Sequence, residues 1–296
     1  MGALFLTLLA LAAPQPGGTA TVDVSVATVW QSPSSPRSID APALGNPVDL
    51  DQWNRNMAAT PARAGVDGRV VTQVLYGEKV KVLEVSGGWA KIAVPNQPSE
   101  LDPRGYPGWV PMRQLITGYY RGRHTLTVVD RKATLHLGSR KLALSYGTRL
   151  PVIGSTPNGG AWRVRSPDGV GWILQSKLAA PPKLTGERVV AEAKRFIGLR
   201  YLWGGTSAWG FDCSGLVWDV FHALGKTVPR DTGPQSQGGR PVTGALRPGD
   251  IVLYGSPATH EAIYAGDGMM IEAPDSAHSV RLVPLRPGYT FARRYA

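Results

Sequence analysis

A pattern of short strands occurs twice in the first 180 residues, and it constrains the fold more than any other feature of the sequence. Three landmarks recur in the same order, namely a Tyr-Gly pair, a Trp and a Gly-Trp pair, at Tyr76-Gly77, Trp89 and Gly108-Trp109, and again at Tyr146-Gly147, Trp162 and Gly171-Trp172. Between them, alternating apolar and polar residues are separated by Gly-rich turns, which is typical of strands. The repeat predicts two small β-barrels.

The first copy is longer because it contains two insertions. One lies between Trp30 and Val70, and the other spans residues 95–105. A long insertion without a strand pattern in a compact domain is usually functional or disordered. Pro181-Pro182 has the composition of a linker. The predicted domains are therefore residues 20–118, 119–180 and 181–296.

The third domain combines helical and strand patterns. Two segments have apolar residues at helical spacing, with Val189, Ala193, Phe196 and Ile197 after a Thr185 cap, and Leu216, Val217, Val220, Phe221 and Leu224 before a Gly225 stop. The runs IVLYG, HEAIYAG, MMIEAP, VRLVPL and FARRYA follow and resemble strands. Helices followed by consecutive strands predict an α+β domain.

The N-terminal sequence indicates the localisation of the protein, and its net charge indicates the kind of partner that it binds. The apolar stretch Ala3–Ala13 is too short to span a bilayer and resembles the core of a secretory signal, although no Lys or Arg precedes it. We therefore expect residues 1–19 to be a leader and the protein to be exported without stable membrane insertion; an N-terminal anchor or an unstructured leader is the alternative. A net charge of +11 favours anionic partners, but no dense Lys/Arg run or motif predicts nucleic-acid binding.

Cys213 is the only cysteine of the chain, so no intrachain disulfide can form. It begins the second predicted helix directly after a Gly-rich loop. The free N–H groups and the dipole at such a helix end favour a thiolate, which is a nucleophile once a base is near. A lone Cys is more often a small buried hydrophobe, but the polar neighbours in FDCSG do not suit a core position.

His260 is the histidine best placed to serve as the base. It begins the strand HEAIYAG, so it can face a cleft from a rigid element, take the thiol proton and later protonate the leaving amine. Glu272 lies on the next strand, and a hairpin would bring the two side chains together. A carboxylate there could fix the imidazole tautomer, although an exposed strand Glu fits the spacing equally well.

Four motifs of the third domain carry a family resemblance. GLRYLWGGTSAWGFDCSGLV, RDTGPQ, LRPGDIVLYG and HEAIYAGDGMMIEAP occur in this order within residues 186–296. Together they resemble the NlpC family of papain-like cysteine peptidases, which cut peptide stems of bacterial peptidoglycan, commonly on the γ-carboxyl side of D-glutamate. The resemblance implies that Cys213 is the nucleophile and His260 the base. Glu272 falls where the family has a polar orienting residue, most often His.

Further site residues are implied by the same resemblance. Tyr201 matches a Tyr that lies beside the nucleophile and helps to hold the oxyanion, for which the backbone N–H of Cys213 is a second donor. Asp212 and Ser214 match substrate-contacting positions, and Asp212 could pair with a substrate ammonium group. Thr232 matches a small hydroxyl residue of the substrate cleft.

The repeated segments resemble bacterial SH3-like domains, which often flank cell-wall enzymes. Two such barrels before an NlpC domain are similar to γ-D-glutamyl-L-diamino acid endopeptidases that need a free L-alanine at the amino end of the stem. In those enzymes the first barrel closes one end of the cleft and supplies an acid and a Tyr for the amine. Tyr106 and Glu78 are the corresponding candidates, although both could simply lie on the barrel surface.

The sequence therefore predicts two small SH3-like β-barrels followed by an α+β papain-like cysteine peptidase domain. The predicted activity is hydrolysis of the γ-D-glutamyl-L-diamino acid bond in peptidoglycan stem peptides that have a free N-terminal L-Ala. Two alternatives are the same chemistry on intact peptidoglycan, and a catalytically lapsed wall-binding protein, for which only Glu272 argues. No cofactor or metal is predicted, since no His/Cys cluster has ligand spacing. Neither the diamino acid nor the oligomeric state follows from the sequence.

Overall fold

The computed structural model describes residues 13–119, 122, 124–154 and 156–296. The apolar core of the predicted leader, apart from its last residue, lies outside the described residues. Within these ranges no helix is long and apolar enough to cross a membrane.

Seven antiparallel strands form the N-terminal β module (residues 19–116). They are β1 (Thr19–Val22), β2 (Val26–Trp30), β3 (Val70–Leu75), β4 (Lys79–Ser86), β5 (Trp89–Val94), β6 (Tyr106–Pro111) and β7 (Leu115–Ile116), in the sheet order β3-β2-β6-β5-β4-β1-β7. Side chains of β4 and β5 alternate between inside and outside, and the inward ones form an apolar core with those of β1, β2 and β6. A 3-10 helix, Met112–Gln114, precedes β7.

The long insertion of this module is folded, so of the two alternatives, functional or disordered, disorder is wrong. It contains a 3-10 helix, Ser38–Ala43, and the helices α1 (Leu50–Asn56) and α2 (Thr60–Ala64). Trp53 is fully buried, and its indole donates a hydrogen bond of 2.8 Å to Asp40. It shares an apolar cluster with Leu202 and Trp209, so the insertion packs against the third domain.

The shorter insertion also contacts the third domain. The carbonyl of Asn96 accepts a hydrogen bond of 3.2 Å from the Trp218 indole, and that of Pro98 accepts one of 3.1 Å from the backbone N–H of Arg230. Both insertions therefore fix the N-terminal β module against the domain that carries Cys213.

The middle β module (residues 125–179) contains β8 (Thr125–Val128), β9 (Lys132–Leu137), β10 (Arg140–Ser145), β11 (Arg149–Pro151), β12 (Ala161–Ser166), β13 (Gly169–Leu174) and β14 (Leu178–Ala179). The strands form two sheets, in the orders β10-β9-β13-β12 and β11-β8-β14, around one aliphatic core. A 3-10 helix, Gln175–Lys177, precedes β14.

The C-terminal domain (residues 181–296) packs helices on an antiparallel sheet. Its helices are α3 (Gly186–Lys194), α4 (Cys213–Ala223) and α5 (Thr232–Gln237), and its strands are β15 (Thr206–Ser207), β16 (Gly210–Phe211), β17 (Arg240–Pro241), β18 (Ile251–Tyr254), β19 (His260–Gly266), β20 (Met269–Glu272), β21 (Arg281–Pro284) and β22 (Phe291–Arg294). The six-stranded sheet has the order β17-β22-β18-β19-β20-β21, while β15 and β16 form a hairpin. Both α3 and α4 contact β19.

The predicted helices are largely confirmed. Thr185 caps α3 by accepting a hydrogen bond of 3.2 Å from the N–H of Arg188, and Gly225 follows α4 with a φ of +84°. All five predicted core residues of α4 are buried. Ile197 is 38% exposed, against prediction, because α3 ends at Lys194 and its helical spacing does not continue.

Candidate active site

The position of Cys213 follows from the packing of α4. The apolar side of this helix is buried against the sheet, which leaves its first residue at the edge of the domain core. Asp212 caps the helix by accepting a hydrogen bond of 2.7 Å from the N–H of Gly215. A Cβ at Gly215 would lie 1.9 Å from the carbonyl oxygen of Gly205, so the glycine allows the preceding loop to pass close beside the first turn.

A cleft of about 870 Å³ opens at this end of α4. Seven of the nine predicted site residues line it: Tyr106, Tyr201, Asp212, Cys213, Ser214, Thr232 and His260. Tyr106 comes from the N-terminal β module and the others from the C-terminal domain. Two domains therefore build one cleft.

The predicted contact between His260 and Glu272 is confirmed. The hairpin of β19 and β20 brings the imidazole Nε2 within 2.8 Å of the Glu272 Oε2. Because Nε2 bonds to the carboxylate, Nδ1 is the imidazole nitrogen left to exchange a proton with a reacting group.

Two arginines hold the Glu272 carboxylate. Arg281 approaches Oε1 at 2.7 Å and Arg286 approaches Oε2 at 2.9 Å, while the Glu272 side chain is fully buried. Burial by itself would raise the pKa of Glu272, but the hydrogen bonds from His260 and Arg281 outweigh it and bring the pKa down to about 2. Glu272 is therefore a carboxylate at any pH at which the protein is expected to work, and no sequence pattern had indicated the two arginines.

The Cys213 thiol differs from the prediction in its charge. Burial raises its pKa to about 12, with the carboxylates of Asp212 and Glu261 adding to the effect. The backbone N–H of Ser214 lowers the pKa, as expected at a helix N-terminus, but this contribution is smaller. The resting thiol is therefore protonated, and thiolate formation depends on a base that takes its proton.

Thr232 and Ser214 lie on either side of the cysteine. The Thr232 hydroxyl is 3.7 Å from Cys213 Sγ, and the Ser214 hydroxyl accepts a hydrogen bond of 2.8 Å from Arg230. Arg230 is buried, forms a 2.8 Å ion pair with Asp212, and donates to Thr72 of β3. It thereby positions the residues next to Cys213 relative to the N-terminal β module.

Glu78 does not line the cleft, so its prediction as a substrate contact is wrong. Its side chain is 1% exposed and lies 3.3 Å from the imidazole of His222 on α4. Asn96 donates to the same carboxylate oxygen. The prediction failed because the Glu78 side chain is oriented by its contact with α4, and this tertiary contact cannot be inferred from the alternation of residues along a strand.

An acid that the sequence reasoning missed lies in the cleft instead. Asp67, which follows α2 in the long insertion, is exposed and lines the cleft near Tyr106. Burial, and then the charge of Asp212, raise the pKa of Asp67. Asp231 also lines the cleft and accepts a hydrogen bond of 3.3 Å from the Tyr106 hydroxyl. Three carboxyl groups, of Asp67, Asp212 and Asp231, thus make this end of the cleft acidic.

Both carboxylate oxygens of Asp212 accept hydrogen bonds from the protein itself, which the sequence did not indicate. One of its oxygens accepts from Gly215 N and the other from Gly204 N and Arg230. The backbone N–H of Asp67 donates to the carbonyl of Ala64, but its carboxyl group has no hydrogen bond to another residue in the ranges that the structure describes. The Asp67 carboxyl group is therefore free to accept hydrogen bonds from a ligand ammonium group, whereas Asp212 would attract that group mainly through its negative charge.

Among the described residues, no three His, Cys, Asp or Glu side chains are grouped to bind a metal ion.

Tyr201 is 5% exposed and lies beside Asp212 and Cys213. Burial, and then the charges of these two residues, raise the pKa of its phenol. Its hydroxyl therefore remains a hydrogen-bond donor in the working pH range.

Sequence comparisons place this geometry among known proteins. A profile of the NlpC/P60 family matches residues 198–295, and a profile of the bacterial SH3 domain matches residues 62–116. The gamma-D-glutamyl-L-lysine dipeptidyl-peptidase of Bacillus cereus (strain ATCC 10987 / NRS 248) is 35% identical, with 100% of this chain and 98% of the relative covered. A protein of the same name from Bacillus subtilis (strain 168) is 36% identical, with coverages of 90% and 93%.

A solved structure is similar over nearly the whole chain. The crystal structure of an NlpC/P60 family protein from Bacillus cereus ATCC 10987 superimposes with a TM-score of 0.88 at 34% identity. The superposition covers 94% of this chain and 99% of the other. The similarity therefore extends over all three domains of this chain.

Proposed function

Because the chain belongs to the NlpC/P60 family of cysteine peptidases, we propose that it hydrolyses the γ-D-glutamyl-L-diamino acid bond of peptidoglycan stem peptides that begin with a free L-alanine. The observation that carries this proposal is the acidic end of the cleft, where the N-terminal β module contributes Asp67 and Tyr106. The names of the two Bacillus relatives support the same bond.

The acidic end suits a terminal ammonium group. The carboxyl groups of Asp67, Asp212 and Asp231 line this end of the cleft. In the described part of the chain, Arg230 is the cation that forms ion pairs with Asp212 and Asp231. Burial, and then the charge of Asp212, raise the pKa of Asp67, and a ligand cation would offset the repulsion by Asp212. A free L-Ala amine is such a cation, and Asp67 is its proposed partner.

The same end provides a basis for selectivity. Tyr106 and Asp67 line this end of the cleft, and we propose that they limit how far a peptide can extend beyond its first residue. In a glycan-linked stem an amide replaces the ammonium group, so the acids would lose their cation and the sugar would meet this wall. Free peptides are therefore the proposed substrates.

The proposed chemistry begins with the His260 imidazole. Glu272 holds Nε2–H, so Nδ1 takes the Cys213 proton as sulfur attacks the γ-carbonyl carbon of D-glutamate. The backbone N–H of Cys213 and the Tyr201 hydroxyl would stabilise the oxyanion. The imidazolium then gives its proton to the departing amine of the diamino acid, and water, activated by the same imidazole, hydrolyses the thioester and frees the thiol.

The architecture that accompanies this function is also proposed. We assign residues 20–118 and 119–180 to two SH3-like barrels and residues 181–296 to a papain-like α+β domain. The leader at residues 1–19 and export to the cell envelope agree with a substrate that arises from the wall.

The direct test uses the tripeptide L-Ala-γ-D-Glu-L-diamino acid and the variant C213A. Wild-type protein should release the dipeptide L-Ala-D-Glu, and C213A should release none while retaining the wild-type circular dichroism spectrum. A matched control is S176A, a change in the middle β module away from the cleft, which should leave the rate unchanged. Turnover of the tripeptide by folded C213A would refute the proposed nucleophile.

A further inference from the structure

A second buried carboxyl group lies beside the nucleophile and has no part in the proposed reaction. Glu261 follows His260 on β19, and its side chain is fully buried, whereas His260 borders the cleft. Its Oε1 accepts a hydrogen bond of 3.4 Å from the Thr232 hydroxyl. Its Oε2 has no hydrogen-bond partner in the described part of the chain. Buried polar atoms without a partner are few in native proteins, so Glu261 needs an explanation beyond stability.

Thr232 connects this carboxyl group to the sulfur. The same hydroxyl oxygen that bonds to Glu261 lies 3.7 Å from Cys213 Sγ. A hydroxyl donates one hydrogen bond and accepts others, so it can accept from the thiol while it donates to Glu261. The three side chains form a continuous chain from the sulfur to the buried carboxyl.

The charged and titratable groups around Glu261 come from every element packed against it. They are Asp212 and Cys213 at the start of α4, Arg230 and Asp231 before α5, Tyr295 after β22, and His260 on its own strand. Burial, and then repulsion by Asp212, raise the pKa of Glu261 to about 8, while Thr232 and Arg230 act in the opposite direction. Glu261 is therefore largely neutral at pH 7 and ionises in mildly alkaline solution.

We propose that Glu261 is a positioning residue for the nucleophile, which in its neutral form holds the Cys213 thiol through Thr232 and in its ionised form opposes the thiolate. The effect has a defined sign. A negative charge on Glu261 raises the pKa of Cys213, so the gain in thiol reactivity that normally accompanies rising pH is held back once Glu261 ionises.

The test variant is Glu261→Gln, which keeps the size and the hydrogen-bonding capacity but removes the charge. At pH 6.5 it should alkylate with iodoacetamide at the wild-type rate, because Glu261 is neutral there. At pH 9 it should alkylate about tenfold faster than wild type, which corresponds to about one unit in the thiol pKa. We also expect the wild-type kcat/KM to fall above about pH 8, where Glu261 ionises, and this fall to be absent in Glu261→Gln.

Glu192→Gln is the matched control, since Glu192 on α3 is also buried but accepts hydrogen bonds from Tyr146 and Arg195 and does not line the cleft. It should follow the wild-type pH profile. The inference rests on the proposed role of Cys213, but alkylation measures the thiol without substrate, so an inactive enzyme with the expected alkylation profile would refute the proposed function and leave this inference standing.

Two results would overturn the inference. One is an alkylation profile of folded Glu261→Gln that superimposes on the wild type from pH 6 to 10. The other concerns Thr232→Val, which serves if Glu261→Gln does not fold. Loss of the hydroxyl should slow alkylation at pH 7 several-fold, because the hydroxyl can turn from Glu261 to donate to the thiolate as it forms, and this contact lowers the pKa of Cys213. Thr232→Ser should restore the rate. Equal rates for Thr232→Val and wild type would contradict the link.

Discussion

Replacing Glu272 with Gln should separate two contributions of this carboxylate, to stability and to catalysis. Glu272 is fully buried between His260, Arg281 and Arg286. Its pKa falls from an ordinary 4.5 to about 2 on folding, and this shift corresponds to about 3 kcal/mol of stability. Gln cannot carry the charge that both guanidinium groups face, so Glu272→Gln should unfold at a correspondingly lower urea concentration at pH 7.

The pH dependence of this loss has a defined sign. A carboxyl whose pKa is depressed in the folded state stabilises the protein above its unfolded pKa, and loses that contribution as the pH falls through the folded value. The difference in unfolding free energy between wild type and Glu272→Gln should therefore have its maximum value at pH 7 and decrease as the pH falls from about 4.5 to about 2. Urea titrations of both proteins at pH 7 and pH 3 measure it.

The catalytic part rests on the tautomer of His260. Gln can present either an oxygen or an NH₂ group to Nε2, so Nδ1 is no longer fixed as the proton acceptor, and kcat/KM should fall at least about a hundredfold. Asp250→Asn is the matched control, because Asp250 is a buried carboxylate paired with Arg294 and distant from the cleft. It should lose stability but keep its activity. A Glu272→Gln variant with wild-type kcat/KM would contradict the catalytic role of Glu272, and a stability difference that is the same at pH 7 and pH 3 would contradict its contribution as a buried carboxylate.

Three further predictions concern the cleft and its support. Asp67→Asn should raise KM for a free-amine tripeptide about tenfold with little change in kcat, whereas Glu78→Gln should leave KM unchanged; equal effects of the two would contradict the assignment of Asp67. Trp53→Ala should cost about 3–5 kcal/mol of unfolding free energy, because it empties a buried site between two domains and removes one of the donors to Asp40, which keeps those of Arg37; a loss below about 1 kcal/mol, measured in urea, would count against that packing. Arg230→Met should cost about 3–5 kcal/mol, since it leaves the Asp212 charge without its ion pair; a measured gain in stability would show that Asp212 does not depend on it.

The residues that sequence reasoning identified correctly are those set by local structure. Cys213 begins a helix with a clear apolar face, and His260 and Glu272 lie on two strands joined by a short turn. The helix start places Cys213, and the hairpin brings together His260 and Glu272, which are twelve positions apart. Each of these two features could therefore be predicted from local structure, whereas the placement of Cys213 relative to His260 depends on the tertiary fold.

The errors arose where distant parts of the chain decide the outcome. Glu78 is directed toward α4, and Asp67 belongs to an insertion with no strand pattern, more than a hundred residues before Cys213. The charge of the thiol was predicted from the helix end alone. Burial and the carboxylates of Asp212 and Glu261 outweigh that local effect, and neither can be read from the sequence around residue 213.

The proposed function requires that the cleft bind a free amino terminus and that Cys213 cut the bond after γ-D-glutamate. Mass spectrometry of the products from L-Ala-γ-D-Glu-L-diamino acid and from its N-acetylated form tests both parts in one experiment. We expect the dipeptide L-Ala-D-Glu from the free peptide, and at least about a hundredfold slower cleavage of the acetylated one. Equal rates for the two peptides, or cleavage at another bond, would contradict the claim.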